Sequence, residues 1–257
     1  MLNIYPLPAF RDNYIWVIHN RDYAAVIDPG TASPVIDYLQ SEKLQLCAIL
    51  ITHHHSDHTG GITELTQLFN VPVYGPGNEP IKEVTHPQRE NDQIKLAEIA
   101  LTLSVMDIPG HTRGHIAYYG SKPFAMVFCG DTLFSCGCGR IFEGNAAQMY
   151  QSLQKLCQLP DDTHVYCTHE YTLSNIRFAR RIDPGNQELI ELEITARQLR
   201  QQNLPTLPTT IRIEKAVNPF LRCDQQTVID CARQHAAMAL PDPVSVFSVL
   251  REWKNNF

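Results

Sequence analysis

Four histidines and one aspartate occupy five of the six positions 53–58 of the sequence, within the segment THHHSDHTGG. An apolar run over residues 47–52 precedes them and two glycines follow, which predicts a buried strand that ends in a loop and then a helix. Because side chains alternate along an extended chain, His53 and His55 should point one way and His54 the other. Neutral imidazole and carboxylate ligands suit zinc, iron(II) or manganese(II), so this spacing predicts a metal site.

Further candidate ligands follow other predicted strands. PGHTRGH offers His111 and His115, FCGDTLF offers Asp131, and YCTHEY offers His169. Each lies at a strand end, where α/β folds collect their chemistry. Taken singly, Asp131 could be a helix N-cap or turn residue and His169 a buried, hydrogen-bonded histidine. Taken together, these residues form a coherent set of metal ligands.

Several of these residues also have an ordinary structural interpretation. Residues 52–61 could be a polar loop of solvated histidines, although four histidines in six positions are unusual for one. His54 is interpreted as a packing or supporting residue rather than a ligand. Cys136 and Cys138 are interpreted as small residues rather than metal or redox groups. Asp28 is either a turn-forming residue or the hydrogen-bond partner of a ligand histidine.

The composition narrows the class of protein. The 257 residues are 44% hydrophobic and carry a net charge of -6, without a long basic run, which argues against a nucleic-acid partner. No apolar stretch approaches the ~20 residues that span a bilayer, and the N-terminus does not resemble a secretory signal. Eight cysteines without an export signal predict reduced thiols. We therefore expect a cytoplasmic monomer that binds neither nucleic acid nor membrane.

Two domains are expected along the chain. Short apolar, strand-like runs alternate with helix-like segments in the first part, which predicts an α/β domain over residues 1–173. The later sequence places Leu189, Leu192 and Ala196 on one helical face. The sequence therefore predicts a mainly helical second domain over residues 174–257.

The motif H-x-H-x-D-H at residues 53–58, followed in order by His111, Asp131 and His169, resembles the metallo-β-lactamase superfamily. Within it, the chain resembles the glyoxalase II (hydroxyacylglutathione hydrolase) family over essentially its whole length. The matching segments are PAFRDNYIWV, CGDTLFSCGCGRIFEG, THEYTLSNIRFA, NPFLR and LREWKNNF. The resemblance implies an αββα sandwich with a dinuclear metal site at one edge of the two sheets, followed by a helical glutathione-binding domain.

The resemblance also implies a role for each ligand. The first metal would be held by His53, His55 and His111, the second by Asp57, His58 and His169, and Asp131 would bridge the two. We expect two divalent metal ions per chain, with zinc first and iron or manganese as alternatives. Asp57, which would orient a bridging hydroxide, and Asp131, which would fix the metal spacing, are the expected catalytic residues.

The implied reaction is the hydrolysis of a glutathione thioester. Metal-bound hydroxide would cleave S-D-lactoylglutathione to glutathione and D-lactate, the second step of methylglyoxal detoxification. The positions that match glutathione-binding residues are Arg140, Phe142, Tyr171, Arg251 and Lys254. Some relatives have Lys in place of Arg140 and Tyr in place of Phe142, and the second difference removes a hydroxyl. We expect Arg251 and Lys254 to serve the substrate rather than the fold.

Other functions are compatible with the same motif. A glutathione persulfide dioxygenase would use one iron, and a β-lactamase or lactonase would use the same metals without glutathione contacts. The helical tail ending in R-x-x-K argues against these. A metal-binding interaction module that lacks catalysis should show gaps among the ligands, and none is missing here.

Overall fold

The structure is a computed structural model that describes residues 2–257. The chain forms two compact units. The first contains the described residues up to Asp107 together with Thr112–Gly130, and the second contains Ile108–His111 and Asp131–Phe257. Within residues 2–257, no helix combines the length and the apolar character needed to cross a bilayer. The expected domain boundary after residue 173 stays a prediction.

The first unit contains a six-stranded sheet in the order of the chain. Its strands are β1 (Asn3–Ala9), β2 (Asn13–His19), β3 (Tyr23–Ile27), β4 (Gln45–Leu50), β5 (Val73–Pro76) and β6 (His86–Gln88). Strands β1 to β3 are antiparallel, and β3 to β6 are parallel. Parallel neighbours require crossover connections. Two of these connections contain α1 (Ser33–Glu42), α2 (Ser56–Thr59) and α3 (Ile62–Phe69).

The core of this sheet explains where its helices lie. Val17, Val26 and Ile49 from the strands cluster with Leu39 of α1 and Leu65 of α3, and all five are buried. Helices α1 and α3 therefore pack their apolar stripes on the sheet, as amphipathic helices do. The short helix α2 remains near the end of β4, where it can present polar side chains.

A second run of strands in the same unit is antiparallel throughout. It comprises β7 (Gln93–Leu96), β8 (Leu101–Asp107), β9 (Ile116–Gly120) and β10 (Met126–Gly130), with a 3₁₀ turn at Ala97–Ile99. The hydroxyl of Tyr118 in β9 donates to the carbonyl of Ile51 at 2.6 Å, and both residues are buried. The two sets of strands therefore meet beside the end of β4, next to the predicted metal ligands.

The second unit is mainly helical. Its short strands are β11 (Leu133–Phe134), β12 (Gly137–Cys138), β13 (His164–Cys167) and β14 (Thr209–Thr210). Its helices are α4 (Ala146–Cys157), α5 (Thr172–Ile182), α6 (Gln187–Gln201), α7 (Ile211–Val217), α8 (Gln226–Ala236) and α9 (Pro243–Asn255). The predicted helical character of the chain after residue 174 is confirmed.

The last helix is fixed at its start and along one face. Asp242 caps α9 by accepting a hydrogen bond from the amide of Ser245 at 2.8 Å. The ring of Phe247 then packs against Tyr150 and Phe220, at centroid distances of 5.9 and 5.7 Å. Because both ends of this contact lie in the second unit, the chain terminus is docked there rather than loose.

Candidate active site

The histidine cluster lies in a loop of the first unit, after β4 has ended at Leu50. His53 Nε2 is 3.2 Å from His55 Nδ1, so these two side chains converge. His54 Nδ1 instead contacts Glu79 Oε2 at 3.0 Å. The predicted division of the three histidines is therefore confirmed. Its predicted cause is wrong, because a loop that leads into α2, and not an extended strand, sets the directions.

A buried carboxylate holds two of these histidines. Asp28 accepts hydrogen bonds from the amide and the hydroxyl of Thr52, at 2.8 and 2.7 Å. His58 Nδ1 lies 3.1 Å from the same carboxylate. Since the Thr52 hydroxyl donates to Asp28, it accepts from His53 Nδ1 at 3.0 Å. Thr52 therefore holds His53 with the proton on Nδ1 and Nε2 as the candidate ligand atom, while His58 lies at ion-pair distance from Asp28. Asp28 thus supports both candidate ligand histidines, one through Thr52 and one by its charge.

Two side chains that support the cluster were not assigned this role from sequence. Asn13, buried at the start of β2, donates from Nδ2 to Asp57 Oδ2 at 3.0 Å. Asp57 Oδ2 is also 3.5 Å from His58 Nε2. The ring of His115 stacks on His53 with centroids 4.6 Å apart, so it packs behind a candidate ligand. The sequence signal that could have indicated Asn13 is a polar asparagine at the start of an otherwise apolar strand.

The second unit contains a separate set of candidate ligands centred on Asp131. Its Oδ2 lies 3.5 Å from His111 Nε2, and its Oδ1 lies 3.4 Å from His169 Nε2. Two ligand atoms at about 2.1 Å from one tetrahedral zinc ion are about 3.4 Å apart. Each oxygen of Asp131 is thus paired with a different histidine, which is the geometry that a bridging carboxylate needs.

The backbone around Asp131 requires glycine at two neighbouring positions. His111 Nδ1 donates to the carbonyl of Arg140 at 2.8 Å, which leaves Nε2 as the ligand atom. A Cβ at Gly139 would overlap the carbonyl oxygen of Asp131 and lie 3.2 Å from His111 Nδ1. Gly130, directly before Asp131, has a φ of +47°, which favours glycine. These glycines allow the chain to bring Asp131 and His111 together.

The donor set in each unit fits a divalent metal ion. Four of the histidines and Asp131 are buried, and burying so many titratable groups is unfavourable unless a partner compensates them. Imidazole and carboxylate donors without a cysteine ligand are compatible with zinc, iron(II) or manganese(II). The residues therefore support a metal cofactor without selecting one metal.

A cavity of about 520 Å³ lies in the second unit, within the usual range for small-molecule sites. The predicted ligands His111 and Asp131 line it. All five predicted substrate residues line it as well, namely Arg140, Phe142, Tyr171, Arg251 and Lys254. The ring of Phe142 lies edge-on to that of His111, with centroids 5.2 Å apart, and the ring of Tyr171 stacks on that of His169, with centroids 4.7 Å apart. The structure thus brings candidate ligands and candidate substrate residues to one cavity.

The two cations of α9 differ in their surroundings. Arg251 is 5% exposed, and its Nη1 donates to the carbonyl of Cys138 at 2.7 Å. Arg251 therefore also contacts the fold, and the expectation that it serves the substrate stays a prediction. Burial, with the charges of Arg251, Arg177 and Arg140, lowers the pKa of Lys254 from 10.5 to about 8. The sequence did not predict that Arg177 lies close enough to influence the charge of Lys254.

The cysteines of the CGC segment show no sign of thiolate chemistry. Burial raises the pKa of Cys136 well above its ordinary value, and it also raises the pKa of Cys138 despite the nearby charge of Arg251. A reactive thiol needs a lowered pKa. The interpretation of both residues as small packing residues is consistent with this.

Comparison with known proteins gives the same assignment over the whole chain. The family model for the metallo-beta-lactamase superfamily matches residues 9–169, and that for the hydroxyacylglutathione hydrolase C-terminus matches residues 170–257. The hydroxyacylglutathione hydrolase of Nitrosomonas europaea is 60% identical over 257 residues, which is 100% of this chain and 97% of the relative. That of Nitrosomonas eutropha is 58% identical, with 100% of both chains covered.

Solved structures show the same fold. ETHE1 from Myxococcus xanthus superposes with a TM-score of 0.65 at 25% identity, covering 99% of this chain and 98% of that one. BLEG-1 B3 metallo-beta-lactamase gives 0.63 at 26% identity, covering 86% of this chain and 99% of that one. The expected metallo-β-lactamase fold, followed by a helical C-terminal region, is confirmed.

We expect Asp28→Asn to lower metal affinity about 10- to 100-fold, because the neutral amide orients Thr52, and through it His53, less well and no longer offers His58 a charged partner. Asparagine tolerates the φ of +52° at this position, so the backbone should be retained. Competition with a chromophoric chelator measures the affinity. The exposed Asp37→Asn is the control, and equal affinities in both variants would contradict the role of Asp28.

Asp131→Ala should reduce bound metal at both sites, whereas His54→Ala should keep the parental metal content. Asp131 pairs with two histidines, while His54 Nδ1 is directed to Glu79. Glu79 retains donors from Thr112 and the amide of Gly114, so the second variant should fold. Atomic emission spectrometry of both proteins decides the matter, and equal metal loss would show that the ligand assignment is wrong.

Proposed function

The chain belongs to the hydroxyacylglutathione hydrolase family of the metallo-β-lactamase superfamily, and we propose how it carries out that reaction. It is an enzyme that hydrolyses hydroxyacylglutathione thioesters with a metal cofactor. We propose S-D-lactoylglutathione as its substrate, as in the second step of methylglyoxal detoxification. The observation that carries the proposal is one cavity lined by His111 and Asp131 together with the cations Arg140, Arg251 and Lys254. The C-terminal family match favours this reaction over the dioxygenase and β-lactamase alternatives.

We propose two metal ions per chain, zinc in the first instance. The first would be held by His53, His55 and His111, the second by Asp57, His58 and His169, and Asp131 would serve both. Support comes from the order and spacing of the motif. Further support comes from the two oxygens of Asp131, each of which is paired with a different histidine.

When bound, the two ions supply a water of lowered pKa and polarise the thioester carbonyl. Asp57 is proposed to orient that water, with Asn13 fixing the carboxylate through its bond to Oδ2. The water oxygen joins the acyl carbon as the carbon–sulfur bond breaks. The two protons of the water pass to solvent as the acid product ionises, and the sulfur leaves as a thiolate that takes one proton from solvent. Thiols have a pKa of about 8.5, so the leaving group does not require a dedicated general acid. None is proposed.

Glutathione carries two carboxylates, and the cavity offers cations for them. Arg140 can bind a carboxylate through two parallel hydrogen bonds. Arg251, whose Nε and Nη1 already donate to Asn255 and Cys138, and Lys254 are proposed to act mainly through their charges. Tyr171 is proposed to contribute a phenolic hydroxyl at the rim. Phe142 is 63% exposed and has no hydroxyl, so it is proposed to contribute apolar contact alone.

The remaining features of the protein follow from the same proposal. We propose that residues 1–173 form the catalytic domain and residues 174–257 the glutathione-binding domain, which agrees closely with the limits of the two family matches. All proposed residues come from one chain, which supports a monomer as the working unit. A cytoplasmic location is supported by eight cysteines and by a substrate derived from the reduced glutathione pool.

The metal-loaded protein should hydrolyse S-D-lactoylglutathione, and removal of the metal should abolish this activity. Loss of absorbance of the thioester measures the rate, and metal content is determined on the same sample. Restored activity after zinc, iron(II) or manganese(II) is added back shows which ions suffice. Full activity in a sample verified to contain no metal would refute the mechanism.

Lys254→Met should raise the KM for the thioester by about tenfold with a smaller effect on kcat. A hydrogen bond to a charged group contributes roughly 1.5–3 kcal/mol, and ~1.4 kcal/mol corresponds to one factor of ten in binding. The contact is the same in the ground and transition states, which is why KM should respond more than kcat. Lys215→Met, at a surface lysine paired with Asp161, is the matched control and should leave KM unchanged.

The pH dependence of KM offers a second readout of the same lysine. The pKa of Lys254 is about 8, so its charge is lost as pH rises through that value, while the substrate carboxylates stay ionised. The parental KM should therefore rise above pH 8. In Lys254→Arg the charge persists, and this rise should disappear. The same rise in both proteins would assign it to another group.

A further inference from the structure

A buried glutamate of the second unit has no place in the reaction described so far. Glu214 in α7 is fully buried. Its Oε2 accepts hydrogen bonds from the amide of Cys136 at 2.8 Å and from Asn218 Nδ2 at 2.9 Å, and its Oε1 accepts from the Thr209 hydroxyl at 2.8 Å. Each of these donors is neutral. A carboxylate buried without a cation is unfavourable, so its presence calls for a role.

The residue that Glu214 binds has an unusual backbone. Cys136 is fully buried and has a φ of +56°, in the left-handed region that non-glycine residues rarely adopt. Such a conformation persists only where the surroundings enforce it, and it is frequent near active sites. Here the carboxylate of Glu214 holds the amide, while the thiol packs in an apolar cluster with Ile176 and Val217.

Side chains of the helical region bind the neighbouring backbone groups in the same way. Asn218 Nδ2 donates to the carbonyls of Phe134 and Gly137, at 3.2 and 2.9 Å. Asn175 Nδ2 donates to the carbonyl of Ser135 at 3.0 Å. Every residue from 134 to 137 is therefore bound through its backbone by a side chain of α5, of α7 or of Asn218 directly after α7. We call residues 134–137 the clamped segment.

In sequence, the clamped segment lies between Asp131, the proposed bridging residue, and Gly139, which packs against the Asp131 carbonyl. Phe134 lines the cavity, and its ring is 5.8 Å from that of His169. Two residues beyond the segment, Gly139 packs against the carbonyl of Asp131. A shift of the clamped segment would therefore move both the cavity wall and the backbone next to Asp131.

We propose that Glu214 is a positioning residue for thioester hydrolysis, which fixes the left-handed turn at Cys136 and through it the cavity wall and Asp131. The inference rests on the proposed function, since it assigns an indirect role in that same reaction. Burial raises the pKa of Glu214 to about 6, so the group is mostly ionised at neutral pH and acts as an acceptor. This also gives the CGC segment a purpose: a small thiol that anchors the turn.

The test compares three substitutions at Glu214. Glu214→Ala removes the acceptor, and Glu214→Asp draws the carboxylate back by one methylene. Glu214→Gln retains one oxygen for Cys136 and Asn218 while its amide faces the Thr209 hydroxyl, which can accept. Thr209→Val is the matched control, because it removes a bond to the same carboxylate without touching the clamped segment.

Two readouts are made on metal-loaded protein, namely kcat per bound metal pair and the rate at which a thiol reagent labels Cys138, located by mass spectrometry. We expect kcat to fall at least tenfold in Glu214→Ala and at least threefold in Glu214→Asp, with Cys138 labelled at least tenfold faster in the alanine variant. Glu214→Gln and Thr209→Val should stay within threefold of the parent in both readouts.

Several outcomes would overturn the proposal. A lower melting temperature with parental kcat and labelling in Glu214→Ala would show that Glu214 serves stability alone. If the alanine variant does not fold, parental kcat and labelling in Glu214→Asp would have the same meaning. Equal losses in the glutamine and alanine variants would reject the acceptor role. If the parent itself does not hydrolyse the thioester, the proposed function fails, while the labelling rates still decide whether Glu214 holds the segment.

Discussion

The carboxylate of Asp131 has to face two histidines at once, one from each oxygen. This arrangement constrains the residues around Asp131 in the second unit. His111 is turned toward it by the carbonyl of Arg140, and Gly139 must lack a side chain because the Asp131 carbonyl occupies that space. A loop that closes so tightly cannot relax its backbone to favoured angles everywhere. Cys136 in this loop has a left-handed backbone, and we propose that the bonds to Glu214 and the two asparagines keep the loop in that shape.

In both units a hydrogen-bond acceptor holds the Nδ1 proton of a candidate ligand histidine. An imidazole can bind a metal only through an unprotonated nitrogen, so the proton must be held on the other one. In the first unit Thr52, itself bound to the buried carboxylate of Asp28, does this for His53, and the same carboxylate lies 3.1 Å from His58 Nδ1. In the second unit a backbone carbonyl does it for His111. Partners of the ligands therefore matter as much as the ligands, because they select the tautomer before any ion arrives.

The cavity of the second unit concentrates positive charge where an anionic substrate is proposed to bind. The lowered pKa of Lys254 is a consequence of burial and of like charges nearby, so the protein by itself does not compensate this group fully. A dicarboxylate ligand would compensate it. Arg251 combines two duties in the same place, since it lines the cavity and also binds the Cys138 carbonyl. Changes at Arg251 will therefore affect binding and loop geometry together, whereas Lys254 reports on charge more directly.

Local sequence determined the order of strands and helices, the helical character of the C-terminal region and the cluster of donor residues, because periodicity and residue type act over a few neighbouring positions. It also separated His54 from His53 and His55, although a loop and not a strand is responsible. Only the tertiary structure decided that Arg251 binds backbone, that Asn13 fixes Asp57 and that Glu214 holds Cys136. In these three contacts the partners are separated in sequence by 113, 44 and 78 positions, respectively. No local pattern encodes which distant groups the folded chain will bring within hydrogen-bond distance.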